Sequence, residues 1–478
     1  MKRHALFVAL TTLGLTVTAP VFAQSESRDA QIKALKALVE KQQQQLNQQQ
    51  QDLASLHAAL NQLQSQQTQQ QTQIQQTQQT QQAQAATIAA APAAAAAKPS
   101  FTAGNGLSVS FNGFIDATAF SQTKSYTYGN GQNAEYPIPG STGNLSGIDV
   151  RNTRFWFDLT GAKLGGDWTG GAHLEMDFFG GNNGTGAYSQ QQPIPRLRQA
   201  YMVLENPVTG SEVKVGQMWD LMFPLDDLPD SLSHIAFPLG YGAGVIGWRF
   251  PGAIWSQDLN HGSTGPAWQL DLGVFEGNWD GPGSNINYLT AGNAGFRPQV
   301  EAKIHVEQEK EWMLFAAGHY SQINLSGVGG TEPTPVKRQF SSEAFEVGGQ
   351  WTPGPWVFKS VLYTGKGIGE IFGDLSQFGD IKDDGGYVSG GYKFTQHWSA
   401  NLFYAISKPN ANDVIRWMGN GSTGELKSHQ YAANLEYTVG DYSFALEWIH
   451  AILLTTTNGD NRINTSGNQI NLSAFYKF

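Results

Sequence analysis

From Phe101 onward, hydrophobic and polar residues alternate with the two-residue period of β-strands that are buried or lipid-facing on one side only. The segment WQLDLGVFE (268–276) puts its aliphatic residues on one face, and QVEAKIHVE (299–307) alternates aliphatic with charged residues. No segment after Phe101 has the period of a helix. Sixteen segments show the strand pattern: 107–120, 151–160, 168–179, 196–205, 211–219, 243–250, 267–276, 299–307, 312–322, 343–351, 356–364, 386–394, 398–407, 428–438, 441–449 and 468–478. The pattern predicts an all-β fold of sixteen antiparallel strands.

The connections between these strands alternate in length. Turns such as NPVTG, TPGP and VGD are short, whereas connections such as 121–150 and 220–242 are long and polar. An even number of strands with short turns on one side and long loops on the other is typical of a transmembrane β-barrel in the bacterial outer membrane. One connection, 251–266, is long for the short side, which indicates that the sixth or seventh strand is misplaced.

Two segments before the strands have a simple interpretation. Residues 1–23 begin with Lys2 and Arg3, continue with a short apolar run and end on Ala23, which predicts a secretory signal peptide. Residues 86–100 are rich in Ala and Pro and predict a linker that interrupts any helix.

The Gln-rich segment 24–85 hides a heptad pattern. With position a at Ile32, most of its aliphatic residues fall on positions a and d without a change of phase. This pattern predicts an α-helical coiled coil, on the order of 90 Å long if it is helical throughout. The alternative is a flexible Gln-rich tether. The four domains expected are therefore the signal peptide, the coiled coil, the linker and a barrel over 101–478.

Composition excludes several classes of function. The net charge of −10 argues against nucleic acid as a partner, and the chain has no cysteine for disulfides, thiolate metal sites or lipid attachment. The ten histidines are scattered, and neither G-x-S-x-G nor H-E-x-x-H occurs. We therefore expect no enzymatic activity, no cofactor and no metal.

The alternation also selects the residues expected to line the lumen, because a charged side chain facing lipid at mid-depth costs about 2–4 kcal/mol. The predicted pore-lining residues are Arg154, Arg196, Arg198, Arg249, Lys303, His173, Glu175 and Asp177. The loop at about 220–240 is predicted to narrow the pore and is acidic, through Asp220, Asp226, Asp227 and Asp230. Two interpretations remain open: arginines that face an acidic loop and guide anions, or a wall network in which the acids of one strand neutralise the arginines.

The last segment, NQINLSAFYKF, alternates strictly and ends on Phe478. It resembles the closing strand of bacterial outer-membrane β-barrels, in which a terminal aromatic strand is recognised by the assembly machinery. The resemblance implies that Tyr476 and Phe478 form the outer-membrane assembly signal.

The order of signal peptide, coiled coil, linker and sixteen-stranded barrel is similar to the DcaP-like porins, as are the stretches RNTRFWFDLTG (151–161), PRLRQAYMVL (195–204) and VKVGQMWDLMFPLDDLPD (213–230). The resemblance implies a homotrimer in the outer membrane that lets small hydrophilic solutes diffuse passively, with a preference for small anions such as dicarboxylates. The expected partners are the lipid bilayer, lipopolysaccharide, the assembly machinery, peptidoglycan and small anionic or polar solutes. Two alternatives stay open: a sugar porin with an aromatic slide, and a structural tether between outer membrane and peptidoglycan.

Overall fold

The computed structural model describes residues 100–478 except 103–105, 128, 183–190, 278–296, 309–310, 325–336, 372, 374 and 376, together with scattered residues from Lys33 to Asn47. The chain forms two compact units, Met1–Ala96 and Ala97–Phe478. In the first unit the described residues are helical. The predicted signal peptide, most of the predicted coiled coil and all of the linker before Ser100 lie outside the described residues. None of the described helices is long and apolar enough to cross a membrane.

The second unit is built from one antiparallel sheet. Its strands are β1 (Ser100–Thr102), β2 (Ser108–Gln122), β3 (Leu145–Asp149), β4 (Arg154–Gly165), β5 (Trp168–Asp177), β6 (Arg196–Asn206), β7 (Ser211–Trp219), β8 (Arg249–Asp258), β9 (Ala267–Glu276), β10 (Pro298–Gln308), β11 (Trp312–Asn324), β12 (Gln339–Trp351), β13 (Trp356–Lys366), β14 (Lys382–Lys393), β15 (Trp398–Pro409), β16 (Glu425–Val439), β17 (Tyr442–Thr455) and β18 (Ile463–Lys477). From β4 onward each strand pairs with the next, and β18 pairs with β2, so the sheet closes into a barrel. A single short helix, α1 (Ala411–Arg416), lies between β15 and β16 in the described part.

The barrel has sixteen strand positions. β3 pairs with the half of β2 that ends at Gln122, and β4 pairs with the half that begins at Ser108, so β3 and β4 are two parts of one interrupted strand. β1 only adds three residues beside the start of β2. The prediction of a sixteen-stranded antiparallel barrel is therefore confirmed.

The predicted strand at 243–250 is wrong. The sixth barrel strand is β8, and residues 220–248 form one long loop, which we call the constriction loop. The sequence GYGAGVIG imitates strand alternation, but Gly242, Gly244 and Gly247 have φ angles of +73°, +136° and +104°, which a regular strand does not accommodate. Because β8 ends at Asp258, the turn that follows it spans only 259–266. The long turn that the sequence indicated at 251–266 is therefore not present on the short-turn side of the barrel.

The outward side chains define an apolar belt with aromatic borders. Along β16 they run in the order Lys427, His429, Tyr431, Ala433, Leu435 and Tyr437. On the neighbouring β15 the same face carries Trp398 near the short-turn end, Leu402 in the middle and Tyr404 beyond it. Leu402 is 68% exposed in the isolated chain. An apolar band between two aromatic girdles is the surface that a bilayer covers.

The constriction loop folds into the barrel and packs on one side of it. Its apolar side chains join the inward side chains of β11 to β17 in a single buried cluster. The loop contributes Met222, Phe223, Leu239, Val245 and Ile246, and the wall contributes Phe315, Tyr363, Tyr387, Phe403 and Ile449. The loop 123–144 is also folded inward, because Tyr126 and Tyr136 are 2% exposed and the Tyr136 hydroxyl donates to the Leu375 carbonyl at 3.3 Å. The constriction loop also reaches the inner face of β6 and β8, where Phe237 and Trp248 contact Arg196 and Arg249.

Candidate pore constriction

Four arginines project from three alternate strands of the sheet into the barrel and form what we call the arginine wall. Arg154 comes from β4, Arg196 and Arg198 come from β6, and Arg249 is the first residue of β8. The side chain of Arg196 is 21% exposed and that of Arg154 is 13% exposed, although Arg154 Nε and Nη2 are buried, and Arg198 is buried at 1%. Arg196 is therefore the most accessible of these three arginines.

A bulge in β6 brings two of these arginines to the same place. Glu175 pairs with Gln199, but the next residue of β5, Met176, pairs with Leu197, so Arg198 is an extra residue in its strand. A bulge of this kind bends the strand and redirects a side chain. Here it lets Arg198 turn inward beside Gln199, whose amide donates to a Glu175 carboxylate oxygen at 3.4 Å.

Two carboxylates of β5 hold the arginines. Asp177 accepts from Arg196 Nε at 3.0 Å and Nη2 at 2.6 Å, and from Arg198 Nη1 at 2.7 Å. Glu175 accepts from Arg198 Nε, and Arg154 Nη1 lies 3.9 Å from the same oxygen. The wall network that remained open as an interpretation of the sequence, in which the acids of one strand pair with the arginines, is therefore present. It does not neutralise all the arginines, because four guanidinium groups share two carboxylates.

Aromatic rings support the arginines from the side of the loop. The Arg249 guanidinium carbon lies 4.6 Å from the Trp219 ring and 4.3 Å from the Trp248 ring. The same carbon of Arg196 lies 5.4 Å from the rings of Phe179 and Phe237. Cation–π contacts stabilise a guanidinium without occupying its N–H groups, so those donors remain usable.

His173 lies on the wall closer to the short-turn end of the barrel. Its Nδ1 is 2.6 Å from Asp158 Oδ1, its Nε2 is 4.0 Å from Glu175 Oε2, and its ring stacks on Tyr201 at 5.2 Å. Asp158 was not among the predicted site residues. Asp158 lies four residues after Arg154 and therefore on the same strand face, so the alternation of the strand also predicts that it faces the lumen.

Lys303 lies at the edge of the packed side of the barrel, two strands from Arg249. It projects inward from β10 and its ammonium group lies 4.8 Å from the Phe315 ring, in a residue that is 8% exposed. It is therefore inward-facing, as predicted, but apart from the arginines.

Three acids of the constriction loop, Asp220, Asp227 and Asp230, have partners other than the arginine wall. Asp220 accepts from the backbone N–H groups of Phe223 at 3.0 Å and Trp248 at 3.2 Å, which fastens the two ends of the loop together. Burial raises the pKa of Asp220 well above its ordinary value, and the nearby Glu301 raises it further. Asp227 accepts from the Gly349 backbone N–H at 3.1 Å, and burial raises its pKa to about 8.

The two remaining loop acids differ in exposure. Asp230 accepts from Lys359 Nζ at 3.0 Å, and the same ammonium group donates to the Leu228 carbonyl at 2.8 Å. Asp226 is exposed. Asp220, Asp227 and Asp230 thus anchor the loop to the packed side and to itself, and within the described residues none of these three makes an ion pair with an arginine of the wall.

The C-terminal residues complete the seam of the barrel. Phe478 exchanges two backbone hydrogen bonds with Gly113 of β2, at 3.1 Å and 3.0 Å, and its ring lies 5.3 Å from Phe111. Tyr476 packs against Tyr442 at 4.8 Å. Tyr476 and Phe478 therefore pack against aromatic rings at the seam, and their recognition by the assembly machinery stays a prediction.

In the described part of the chain, no three His, Asp or Glu side chains lie close enough together to hold a metal ion. The buried pair Ser233 and His234 shares a hydrogen bond of 2.8 Å on Nδ1, but Ser233 also donates to Glu447 and His234 Nε2 lies 3.2 Å from the Ala134 carbonyl. This network fastens two loops to the wall.

A closed sixteen-stranded barrel with an apolar outer belt, a polar inner wall and an infolded loop defines a transmembrane channel of the outer-membrane type. A family model described as Gram-negative porin matches residues 83–478. The chain belongs to this family of Gram-negative porins. It is thus an outer-membrane channel, in a family of channels rather than enzymes.

Solved structures agree with this assignment. The barrel is similar to the outer membrane channel DcaP of Acinetobacter baumannii, with 18% sequence identity and a TM-score of 0.60 over 79% of this chain and 99% of that one. It is also similar to OmpF of Salmonella typhi in complex with daunomycin, with 14% identity and a TM-score of 0.50 over 80% of this chain and 100% of that one. No curated protein sequence matches the chain. At such identities the similarity shows the fold, and the predicted resemblance to DcaP-like porins is confirmed at that level.

Proposed function

We propose that this porin prefers small anions, such as dicarboxylates, which pass between the constriction loop and the arginine wall. The observation that carries the proposal is the charge of the wall: within the described residues its four arginines make ion pairs of 4.0 Å or less only with Glu175 and Asp177, so guanidinium groups outnumber these carboxylates by two. An uncompensated charge beside a narrow, low-dielectric passage raises the local concentration of ions of opposite sign.

The hydrogen-bonding state of the wall supports the same proposal. Within the described residues, Arg154 Nε and Nη2 and Arg249 Nη1 have no hydrogen-bond partner. Buried donors are normally satisfied, by water where protein groups do not reach them. Guanidinium groups bind carboxylates in a bidentate manner, so a dicarboxylate offers two groups suited to a wall of several arginines.

The sugar-porin alternative has less support. Its slide would need exposed inward aromatic rings, and the strand alternation selects seven candidates: Phe114, Phe120, Trp156, Phe275, Phe315, Tyr363 and Phe403. All of them except Phe120 and Trp156 are buried. Three of them, Phe315, Tyr363 and Phe403, belong to the cluster under the constriction loop. A solute in the passage would not meet them as a continuous track.

The homotrimer, the periplasmic coiled coil and the contact with peptidoglycan are part of the proposal. They rest on the heptad pattern of residues 24–85 and on the resemblance to DcaP-like porins. The alternative of a structural tether depends on the same segment, and it differs in requiring no open passage.

The test is block of single-channel current by succinate in a planar bilayer. We expect succinate to reduce the current in the wild type, and Arg196→Gln to relieve the block because Arg196 is the most exposed member of the wall. Arg416→Gln is the matched control, since Arg416 lies in α1 and is 48% exposed beside Asp413. Equal block in wild type and Arg196→Gln would refute the role of the wall.

A further inference from the structure

The imidazole of His173 is held between two carboxylates on the inner face of the barrel. Asp158 Oδ1 lies 2.6 Å from its Nδ1, and Glu175 Oε2 lies 4.0 Å from its Nε2. The Tyr201 ring stacks on the imidazole, with the ring centres 5.2 Å apart. Each ring nitrogen of His173 therefore faces an acid, and the plane of the ring is supported from one side.

The two charge states of His173 have opposite effects on Glu175. A neutral imidazole has one N–H group, whereas an imidazolium has two. With its proton on Nδ1, the neutral ring turns the lone pair of Nε2 toward Glu175, and this nitrogen is buried without a hydrogen-bond partner within the described residues. In the charged ring the same nitrogen carries an N–H group, which attracts that carboxylate. The protonation state of His173 therefore changes the electrostatics of the wall at Glu175.

Glu175 connects His173 to the arginine wall. Its Oε1 accepts from Arg198 Nε and lies 3.9 Å from Arg154 Nη1. Its Oε2, the oxygen that faces His173, accepts from the Gln199 amide at 3.4 Å. The histidine thus adds its charge to the same network that holds two of the arginines.

The remaining charged and titratable groups near the ring come from three strands. They are Asp158 and Arg154 on β4, Tyr201 and Arg198 on β6, and Lys214 on β7, whose ammonium group lies 5.9 Å from the Tyr201 ring and 2.6 Å from Glu212. Lys214 and Glu212 compensate each other. Asp158 has no such partner besides His173 among the ion pairs of the described residues.

The charge of His173 therefore decides whether Asp158 is compensated. The wall alone has two more guanidinium groups than carboxylates. Asp158 beside a neutral His173 reduces this excess to one positive charge, and a charged His173 keeps it at two. The side chain of Asp158 is 37% exposed and that of His173 is 15% exposed. An uncompensated Asp158 would thus act on ions in the same passage as the arginines.

We propose that His173 is a specificity-determining residue of the passage, which compensates Asp158 as an imidazolium and leaves its negative charge facing the passage as a neutral ring. The inference rests on the proposed anion preference and adds to it a dependence on pH. Histidine is the side chain whose charge ordinarily changes between about pH 5 and 8. A rise in pH across this range removes the positive charge of His173, so the preference for anions decreases.

The test records the reversal potential in a planar bilayer under a potassium chloride gradient, at about pH 5.5 and about pH 8. In the wild type we expect the ratio of chloride to potassium permeability to fall at least about twofold between the two pH values. His173→Gln cannot take up the proton, so its ratio should stay at the lower value throughout. His429→Gln is the matched control, because His429 lies on the outer face of β16, and it should behave like the wild type.

A second variant tests the role of Asp158 without changing the histidine. Asp158→Asn removes the charge that His173 compensates, so it should prefer chloride more strongly than the wild type at about pH 8. A merely structural role of Asp158 would leave the ratio unchanged. Folding of every variant is checked by the gel shift between unheated and heated samples.

The outcomes separate this inference from the proposed function. A wild type that prefers chloride equally at both pH values would overturn the role of His173 and leave the anion preference intact. A preference for potassium at both pH values would refute the anion preference and the inference with it. The buried loop acid Asp227 also has a raised pKa, of about 8. An equal pH dependence in wild type and His173→Gln that disappears in Asp227→Asn would assign the effect to the constriction loop and overturn the proposal.

Discussion

Arg198 is the residue on which the charge balance of the wall depends. It is buried, and it is the one arginine that contacts both Glu175 and Asp177. The alternation of side chains along the strand was enough to predict that Arg196 and Arg198 face inward. The bulge that makes Arg198 an extra residue could not be predicted, because it depends on the pairing with β5 and leaves no mark in the spacing of β6 alone.

We predict that Arg198→Met destabilises the barrel. Removing one partner of a buried ion pair leaves uncompensated charge and costs about 3–5 kcal/mol. In this protein Glu175 would lose its closest partner, and Asp177 would keep only Arg196. Urea unfolding followed by tryptophan fluorescence would measure the loss. Arg416→Met, which removes an exposed arginine, should leave the midpoint unchanged, and an unaltered midpoint for Arg198→Met would contradict the account.

At the scale of elements, the constriction loop is held by hydrogen bonds and an ion pair to the wall as well as by its apolar packing. Lys359 of β13 binds both Leu228 and Asp230 near the innermost part of the loop, and the Asn434 amide donates to the Asp230 carbonyl at 2.8 Å. The sequence predicted the loop and its acidity. It could not predict which way the acids turn, because loops lack the periodicity that assigns strand side chains to a face.

Loosening this anchor should widen the passage. We predict that Lys359→Gln increases single-channel conductance and adds short-lived current fluctuations, since the loop loses an ammonium group that joins two of its residues to the wall. Lys393→Gln, near the short-turn end of β14, should conduct like the wild type. If both variants gave wild-type currents, the loop would be held by its apolar cluster alone.

The pairing of β18 with β2 closes the barrel and forms its seam. Gly113 lies there under the Phe478 ring, and a Cβ at this position would come within 2.6 Å of the Arg154 carbonyl and 2.7 Å of Phe478 Cζ. A methyl group must therefore displace both the terminal ring and the backbone of β4.

We predict that Gly113→Ala lowers the yield of folded barrel, measured as the heat-modifiable band after refolding in detergent. Gly318→Ala is the control, because the nearest atom to its Cβ would be the Ala344 carbonyl at 3.9 Å. Equal yields for both variants would show that the seam tolerates the extra methyl group.

At the scale of the whole molecule, the strand count and closure followed from alternation because each strand meets lipid on one face and polar groups on the other. The single misplaced strand, 243–250, arose where a glycine-rich loop segment inside the barrel also alternates. The inward folding of loop 123–144 was not predicted, since its buried residues, Glu135 among them, are polar as often as apolar. Such burial depends on contacts with distant strands and has no local signal.

The role of the N-terminal segment is testable by deletion. We predict that removing residues 24–97 leaves single-channel conductance intact, because the unit that follows, Ala97–Phe478, contains the entire closed sheet. A porin should therefore keep its function, and a tether should lose its role. Loss of all current in a folded, membrane-inserted deletion protein would contradict a self-sufficient channel.

The reversal potential of the purified protein in a planar bilayer, under a tenfold potassium chloride gradient, tests the central claim most directly. The excess positive charge of the arginine wall predicts a potential on the chloride side, which moves toward zero in Arg196→Gln and stays unchanged in Arg416→Gln. A potential on the potassium side in the wild type would mean that the acids dominate the passage and that the arginine wall does not select the solute.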